Sequence, residues 1–334
     1  VVEVHSFDEL EKLGKKNIKG KIVFYNTPMD PRHIHTFHAY GNCVQYRFSG
    51  AGRAAEYGAK AILLRSISHK IDEHPHTGVM RYPEEGEKIP AAAISTLHAE
   101  QLSELLKIDP ELQVYMKMHC RTYPDKLSYN VIGEIRGSEK PEEIMLVGGH
   151  LDSWDNGDGA HDDGAGCVQS LQVLTTFNAL GYKPKHTVRA VLFMNEENGV
   201  AGGRKYYEEV VETKEKHIIA IESDAGGFTP RGFSVDDTIT SVEHLRKFTT
   251  LFEPYLIHYF EKGFSGVDIY RLKETGTTTI GLVPDSQRYF DYHHAPTDVF
   301  EAVNKRELEM GAATMAALIY LLDNYPIPKT GFGF

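Results

Sequence analysis

Residues 144–174 read IMLVGGHLDSWDNGDGAHDDGAGCVQSLQVL, and this stretch decides the fold. An apolar run leads through two glycines to His150, and a loop rich in Gly, Asp and Asn follows. Asp162 and Asp163 then precede a pattern typical of a helix. Open α/β sheets build their sites from buried strands that end in such polar residues, next to helix N-termini. The stretch therefore predicts an α/β fold with a cation site.

The composition is that of a globular protein large enough for two domains, with 334 residues, 41% hydrophobic and 25% charged. The net charge of −11 argues against a nucleic-acid partner. The longest apolar segment, residues 312–322, is too short to span a bilayer, so we expect no membrane span. The sequence starts at Val1 without a leader, and we expect a processed, trimmed or partial product.

The three cysteines, Cys43, Cys120 and Cys167, have no metal-ligand spacing. We interpret them as buried or free thiols, or as one disulfide and one thiol. The sequence contains no N-x-[ST] acceptor, so its chemistry leaves the compartment open.

Strand and helix patterns alternate along the whole chain, which predicts a mainly parallel central sheet flanked by helices. In the first part, strands are predicted at 21–25, 61–64, 89–94 and 112–118, and helices at 49–58 and 98–106. Residues 121–128 have the character of a linker. In the second part, strands are predicted at 130–135, 144–147, 187–194, 217–222 and 277–283, and helices at 167–180, 242–252 and 305–322.

Carboxylates and imidazoles follow the strands of the second part: His150, Asp162, Glu196, Glu197, Asp224 and His294. The carboxyl ends of parallel strands meet at one edge, where so many acids cannot all ionise unless a cation is present. Histidine and carboxylate ligands together suit Zn²⁺. The ligands are too many for one ion, but two ions about 3.5–4 Å apart with a bridging carboxylate would use them all.

Four motifs occur in order between residues 123 and 320: GGHLDSWDNGDGAHDDGAG, NEENG, ESDAG and YHHAPTD. Together they resemble the co-catalytic zinc exopeptidases and, more closely, the carboxypeptidase Q group (plasma glutamate carboxypeptidase, lysosomal dipeptidase). Residues 1–121 are similar to the protease-associated domain that this group carries as an insert. We therefore expect a smaller protease-associated α/β domain at 1–121. A zinc peptidase domain, lacking the segment that precedes the insert in the group, is expected at 122–334.

The resemblance implies two zinc ions per subunit. One would be held by His150, Asp162 and Asp224, and the other by Asp162, Glu197 and His294. It also implies that Glu196 is the general base and that the peptide bond between Asp162 and Asp163 is cis.

Elementary chemistry agrees with these roles. Glu196 and Glu197 are adjacent beyond a strand end, so one side chain can face the metal while the other faces the attacking water. Asp152 lies two residues after His150 and would face the same side of an extended chain. We therefore expect the Asp152 carboxylate to accept the free ring N–H of His150.

Simpler roles suit the neighbouring polar residues. Asp163 precedes a helix and is interpreted as its N-cap. His161 is assigned to a loop position, and Asp155 and Asp158 are taken as solvated loop acids. Asp298 is expected to hydrogen-bond the loop of YHHAPTD or to cap the next helix.

Specificity is expected to come from residues 263–272 and 286–293. Asp268 and His293 are candidate substrate contacts, with packing as the alternative for His293. The resemblance further implies a peptide substrate, a homodimer and a secreted or lysosomal location.

The predicted function is thus a dinuclear zinc exopeptidase that hydrolyses dipeptides or short peptides. Aminopeptidase, carboxypeptidase and dipeptidase activities stay open, because the metal site does not distinguish them. A non-catalytic binding ectodomain similar to transferrin receptors is the alternative, but such relatives have lost metal ligands that are all present here. A glutaminyl cyclase is disfavoured because those relatives use one zinc ion and a different site pattern.

Overall fold

The computed structural model describes residues 1–328, which form two compact units. Unit 1 contains residues 1–126, 154–157 and 286–297. Of the described residues, unit 2 contains 127–153, 158–285 and 298–328.

Unit 1 is built on a four-stranded parallel sheet with the order β1-β2-β3-β4. The strands are β1 (Val2–Val4), β2 (Ile22–Tyr25), β3 (Ala61–Arg65) and β4 (Ala91–Ile94). The helices are α1 (Phe7–Ile18), α2 (Thr36–Glu56) and α3 (Thr96–Ile108). Side chains alternate along β2 and β3, so Tyr25 and Leu64 join a core containing α2, while Phe24 and Leu63 pack with α3 residues.

Unit 2 is built on a seven-stranded sheet with the order β10-β9-β11-β8-β6-β7-β5. The strands are β5 (Val131–Ile135), β6 (Lys140–His150), β7 (His186–Phe193), β8 (Lys216–Glu222), β9 (Pro230–Asp236), β10 (Tyr259–Lys262) and β11 (Thr278–Pro284). The helices are α4 (Ala165–Ala179), α5 (Ala201–Thr213), α6 (Ile239–Arg246), α7 (Thr249–Phe252) and α8 (Lys305–Asn324). The pairs β5–β7 and β9–β11 are antiparallel and the other pairs in this sheet are parallel, which confirms the predicted fold class.

Strands β6, β7 and β8 are neighbours and run parallel, with β6 in the middle. Their second halves are almost completely buried, which is why they consist of near-continuous apolar runs. His150 pairs with Phe193 of β7, and Gly148 pairs with Glu222 of β8. The three strands therefore end at one edge of the sheet.

Two sequence predictions about secondary structure were wrong. Residues 112–118 belong to neither sheet, although Leu112, Val114 and Met116 pack against the α3 side of the unit 1 core as an alternating pattern demands. The helix predicted at 49–58 begins much earlier, at Thr36. In addition, β1, α1, α5, β9 and β10 were not predicted, and the helix predicted at 242–252 is divided into α6 and α7.

Within residues 1–328, no helix combines the length and apolarity that crossing a membrane requires. Cys43 and Cys167 are buried free thiols and Cys120 is an exposed one, in agreement with the free-thiol interpretation.

His217 on β8 makes the stability of unit 2 depend on pH. Burial, and then the charge of Arg189, lower the pKa of His217 to about 4. Its Nε2 contacts the Tyr206 hydroxyl at 2.8 Å, and the neighbouring Glu215 opposes the shift. As pH falls below the ordinary histidine pKa of about 6.5, the unfolded chain binds a proton that the folded chain does not.

We therefore expect His217 alone to lower the free energy of unfolding by up to about 3 kcal/mol between pH 6.5 and pH 4. The variant His217→Gln should show a shallower loss of stability over this range, measured by urea unfolding. Above pH 7 the difference between variant and wild type should stay constant. Parallel stability curves for the two proteins across the acid range would contradict the prediction.

Candidate metal centre

The functional residues predicted in unit 2 lie at the edge where β6, β7 and β8 end. His150 is the last residue of β6, Glu196 and Glu197 follow the end of β7, and Asp224 follows the end of β8. His150, Asp162 and Asp224 offer ligand atoms that all lie within 4.8 Å of one another. His150, Glu196 and Glu197 form a second such group under the same distance limit.

The geometry around His150 fits a zinc ligand. The residue is 1% exposed, and its Nδ1 contacts the backbone oxygen of Asp152 at 2.8 Å. This contact favours a proton on Nδ1 and leaves the Nε2 lone pair for a metal. Nε2 lies 3.3 Å from Asp162 Oδ1 and 3.4 Å from Asp224 Oδ1. Ligand atoms roughly 2.0–2.1 Å from a tetrahedral zinc ion lie about 3.4 Å from each other, so the three atoms have the spacing of shared ligands.

Asp152 supports the centre through different atoms from those predicted. Its backbone oxygen, rather than its carboxylate, contacts the His150 ring, and the nearest carboxylate oxygen is 3.8 Å from Nδ1. The carboxylate instead accepts the backbone N–H of Glu196 at 2.9 Å and that of Glu197 at 3.3 Å. Because the chain turns after His150, the predicted extended geometry does not hold at Asp152, and the carboxylate positions the loop of the two glutamates.

Asp162 lies in a single π-helical turn, Ala160–Gly164, just before α4. The peptide bond between Asp162 and Asp163 is cis, as the family resemblance implied. Asp298 accepts the backbone N–H groups of His161 and Asp162 at 2.7 and 3.1 Å. Asp298 therefore fixes the loop of Asp162, a role that differs from the predicted contact with the YHHAPTD loop or cap of the next helix.

Asp163 connects strand β6 to helix α4. Its carboxylate accepts the N–H of Gly166 in the first turn of the helix, as predicted for a capping residue, and also the N–H of His150. The N-cap position itself belongs to Gly164. A Cβ on Gly149 would lie 2.4 Å from the Asp163 carboxylate, and one on Gly166 would lie 1.9 Å from the Ser223 oxygen. Glycines in the motif thus permit close backbone approach.

His161 is not the simple loop residue that was predicted. It is completely buried, and its ring stacks on Phe228 with centroids 4.2 Å apart. Nδ1 accepts the N–H of Gly227, and Nε2 lies 3.3 Å from the Ala302 oxygen. The ring therefore connects the turn of Asp162 to two other segments of unit 2, around Phe228 and at Ala302. Asp155 and Asp158 are exposed, which agrees with their assignment as solvated loop acids.

Burial and mutual repulsion shift the pKa values of the acids at this edge. Burial, and then the charge of Asp224, raise the pKa of Glu196 to about 9. Burial lowers the pKa of His150, but hydrogen bonds to Asp162 and Asp224 outweigh it and raise that pKa well above the ordinary value. A cation bound among the acids would remove the cost of ionising them, so the charge distribution as well as the geometry fits a metal.

Asp268 lies beside this edge and is held there by Glu222, a residue whose role the sequence did not reveal. Glu222 is buried, and its carboxylate accepts the N–H groups of Val267, Asp268 and Ile269 at 2.8–3.1 Å. Asp268 is 3% exposed, and its carboxylate lies against the backbone of Gly203. Burial raises the pKa of Asp268 to about 7.

His293 and His294 lie in unit 1, where their rings stack with centroids 3.5 Å apart. The Nδ1 atom of His294 is 3.1 Å from the Thr77 oxygen, and the backbone oxygen of His293 contacts the buried ring of His76. Neither contact tests the expected roles, so the assignment of His294 as a ligand and of His293 as a substrate contact stays a prediction.

The fold of unit 2 is that of a peptidase domain, and the groups at its edge could hold a metal ion. The model of the family described as Peptidase family M28 matches residues 130–319, and the chain belongs to this family. The predicted resemblance to zinc exopeptidases is thereby confirmed.

Among curated proteins, the chain is 36% identical to carboxypeptidase Q of Bos taurus over 322 residues and 35% identical to that of Homo sapiens. The alignments cover 96% of this chain and 66% of each relative. The chain thus spans about two thirds of the length of these relatives.

Among solved structures, a peptidase M28 precursor from Shewanella amazonensis SB2B superposes with a TM-score of 0.89 at 34% identity. That match covers 98% of this chain and 75% of the other. BSAP, a zinc aminopeptidase from Bacillus subtilis, matches with a TM-score of 0.63 at 17% identity, which shows a shared fold alone.

The contacts of Asp152 predict that its carboxylate supports metal binding. Asp152→Ala should weaken zinc affinity by about 10–100-fold, because residues that orient ligands typically contribute that much. The Asp152 backbone oxygen remains in the variant, so the effect would report on the loop of Glu196 and Glu197 rather than on the His150 ring. Zinc competition with a chromogenic chelator measures the affinity, and Asp155→Ala is the exposed control. Equal affinities in all three proteins would refute this role.

Proposed function

We propose that the protein is a zinc-dependent exopeptidase that hydrolyses dipeptides or short peptides at a two-zinc centre. The observation that carries the proposal is the position of His150 Nε2, 3.3 and 3.4 Å from the Asp162 and Asp224 oxygens. Membership of Peptidase family M28 supports the reaction class, and the carboxypeptidase Q relatives support an exopeptidase.

Two ligand sets share one carboxylate in this proposal. The first ion would be held by His150, Asp162 and Asp224, and the second by Asp162, Glu197 and His294. Asp162 suits the bridging position because its backbone is fixed by Asp298 and its side chain is buried.

Zinc, when bound, would polarise the substrate carbonyl and lower the pKa of water at the site. Glu196 would take a proton from the attacking water and return it to the leaving amine. Its position suits this task, because the Asp152 carboxylate holds its backbone N–H. Positive charge at the site would lower the pKa of Glu196 from about 9, so that the side chain starts the reaction as a base.

Further features of the proposal rest on the family resemblance. Residues 1–121 would act as a protease-associated domain, residues 263–272 and 286–293 would contribute to specificity, and the protein would be a secreted or lysosomal homodimer. A binding ectodomain similar to transferrin receptors is less well supported, because His150, Asp162, Glu197 and Asp224 all retain the chemistry of metal ligands.

The proposal is tested by measuring the zinc content of the full chain together with its turnover of one dipeptide in three forms. We expect two zinc ions per chain and loss of turnover with chelator. If only N-acetylation abolishes turnover, the enzyme is an aminopeptidase, and if only C-amidation does so, it is a carboxypeptidase. If each modification by itself abolishes turnover, the enzyme is a dipeptidase. Fewer than two zinc ions, or activity indifferent to chelator, would contradict the two-zinc mechanism.

A further inference from the structure

Unit 1 has a cavity at the carboxyl edge of its own parallel sheet. The cavity has a volume of about 430 Å³, which is within the usual range for small-molecule sites. Residues that follow β2 and β3 line it, including Met29, His33, Ser68 and His69, together with Arg65 at the end of β3. Open parallel sheets bind ligands in crevices at this edge.

Arg65 brings a buried positive charge to the cavity. Its side chain is 6% exposed, with Nη2 donating to Glu100 Oε1 at 3.1 Å and Nη1 to Asn26 Oδ1 at 3.4 Å. Within residues 1–328, the Nε–H of Arg65 meets no acceptor. The buried Nε2 of His69 likewise has no hydrogen-bond partner in that part of the chain. A buried donor without an acceptor is costly, so the Arg65 guanidinium at the cavity lacks an acceptor that a ligand can supply.

Glu100 satisfies only part of the hydrogen-bonding capacity of the Arg65 guanidinium. It lies on α3, its side chain is 51% exposed, and it contacts only the Nη2 end of the guanidinium. A carboxylate binds guanidinium best through two parallel hydrogen bonds, which here would use Nε and Nη2 together. An exposed glutamate with a single contact can move toward solvent at low cost.

Other charged residues beside the lining positions do not compete for this role. Arg32 pairs with Asp30, and Lys70 pairs with Asp72. Arg65 is therefore the fixed positive charge of the cavity, and Glu100 is its exchangeable partner.

We propose that this cavity binds a small organic anion through a carboxylate, which pairs with Nε and Nη2 of Arg65 and displaces Glu100. The volume exceeds what a single inorganic phosphate fills and suits a molecule of about the size of a dicarboxylate or an amino acid. The proposal concerns unit 1 alone and does not depend on the peptidase chemistry.

The test is calorimetric titration of the full chain with succinate and, separately, with inorganic phosphate. We expect succinate to bind, Arg65→Met to weaken binding by at least about tenfold, and Glu100→Gln to tighten it by about threefold, because the competing carboxylate is gone. Glu104→Gln is the matched control, since Glu104 is exposed on the same helix and pairs with Lys107. Glu104→Gln should bind succinate with the same affinity as the wild type.

Arg65→Lys serves as a second variant if Arg65→Met does not fold, since it keeps the charge but loses the planar pair of donors, and it should also weaken binding. Absence of succinate binding by the wild type would overturn the proposal. Wild-type affinity in both Arg65→Lys and Glu100→Gln would overturn it as well. Phosphate binding as tight as or tighter than succinate binding would overturn the assignment to a carboxylate.

Discussion

Replacing Glu196 by Gln is expected to lower kcat by about 10³-fold while the zinc content stays at the wild-type level. The amide has nearly the same shape as the carboxyl group but cannot accept the proton of the attacking water. The backbone N–H that Asp152 holds is unchanged by the substitution, so the loop should keep its position. Because the lost interaction belongs to the transition state, KM should change much less than kcat.

Measured kcat, KM and metal content of the purified variant check this prediction. Glu209→Gln is a suitable control, because Glu209 is exposed on α5 and pairs only loosely, with Lys205 at 3.8 Å. Full activity in Glu196→Gln would overturn the general-base assignment. Loss of zinc together with activity would show instead that Glu196 is a ligand.

The positions of the residues assigned as metal ligands in unit 2 could be predicted because they depend on sheet topology. Apolar runs mark β6, β7 and β8, and parallel strands place the residues after them at one edge. The sequence therefore predicts that His150, the adjacent Glu196 and Glu197, and Asp224 lie at that edge.

The supporting contacts could not be predicted, because they depend on how loops turn. The chain bends after His150, so the Asp152 carboxylate meets the backbone of Glu196 instead of the imidazole ring. His161 stands among Gly and Asp residues, and no local pattern indicates that Phe228 covers it. The sequence shows Glu222 only as the last residue of a predicted strand and does not indicate which N–H groups its carboxylate accepts.

Several acids of unit 2 that are not assigned as ligands have one feature in common: their carboxylates accept hydrogen bonds from the backbone. The carboxylates of Asp152, Asp163, Asp298 and Glu222 each accept two or three backbone N–H groups. In the first three cases the donors include the N–H of a residue assigned as a ligand. Hydrogen bonds from backbone N–H groups stabilise a buried carboxylate, so these acids position loops while the neighbouring acids remain available to a cation. This division explains why the edge contains more acids than the two proposed zinc ions would need.

Asp162→Ala is expected to remove most of the bound zinc and to abolish turnover. Asp162 is assigned to both ligand sets, so its loss affects two ions, whereas loss of Asp224 would affect one. Asp162→Asn keeps one oxygen but loses the charge, and it should retain more zinc than the alanine variant while staying nearly inactive.

Zinc content per chain and thermal unfolding with and without added zinc measure the effect. Wild-type protein should gain thermal stability from zinc, because an ion that binds the folded state stabilises it, and Asp162→Ala should gain much less. Asp158→Ala tests the specificity of the effect, since Asp158 is an exposed acid of the same loop. If Asp162→Ala held two zinc ions, the bridging role would be wrong.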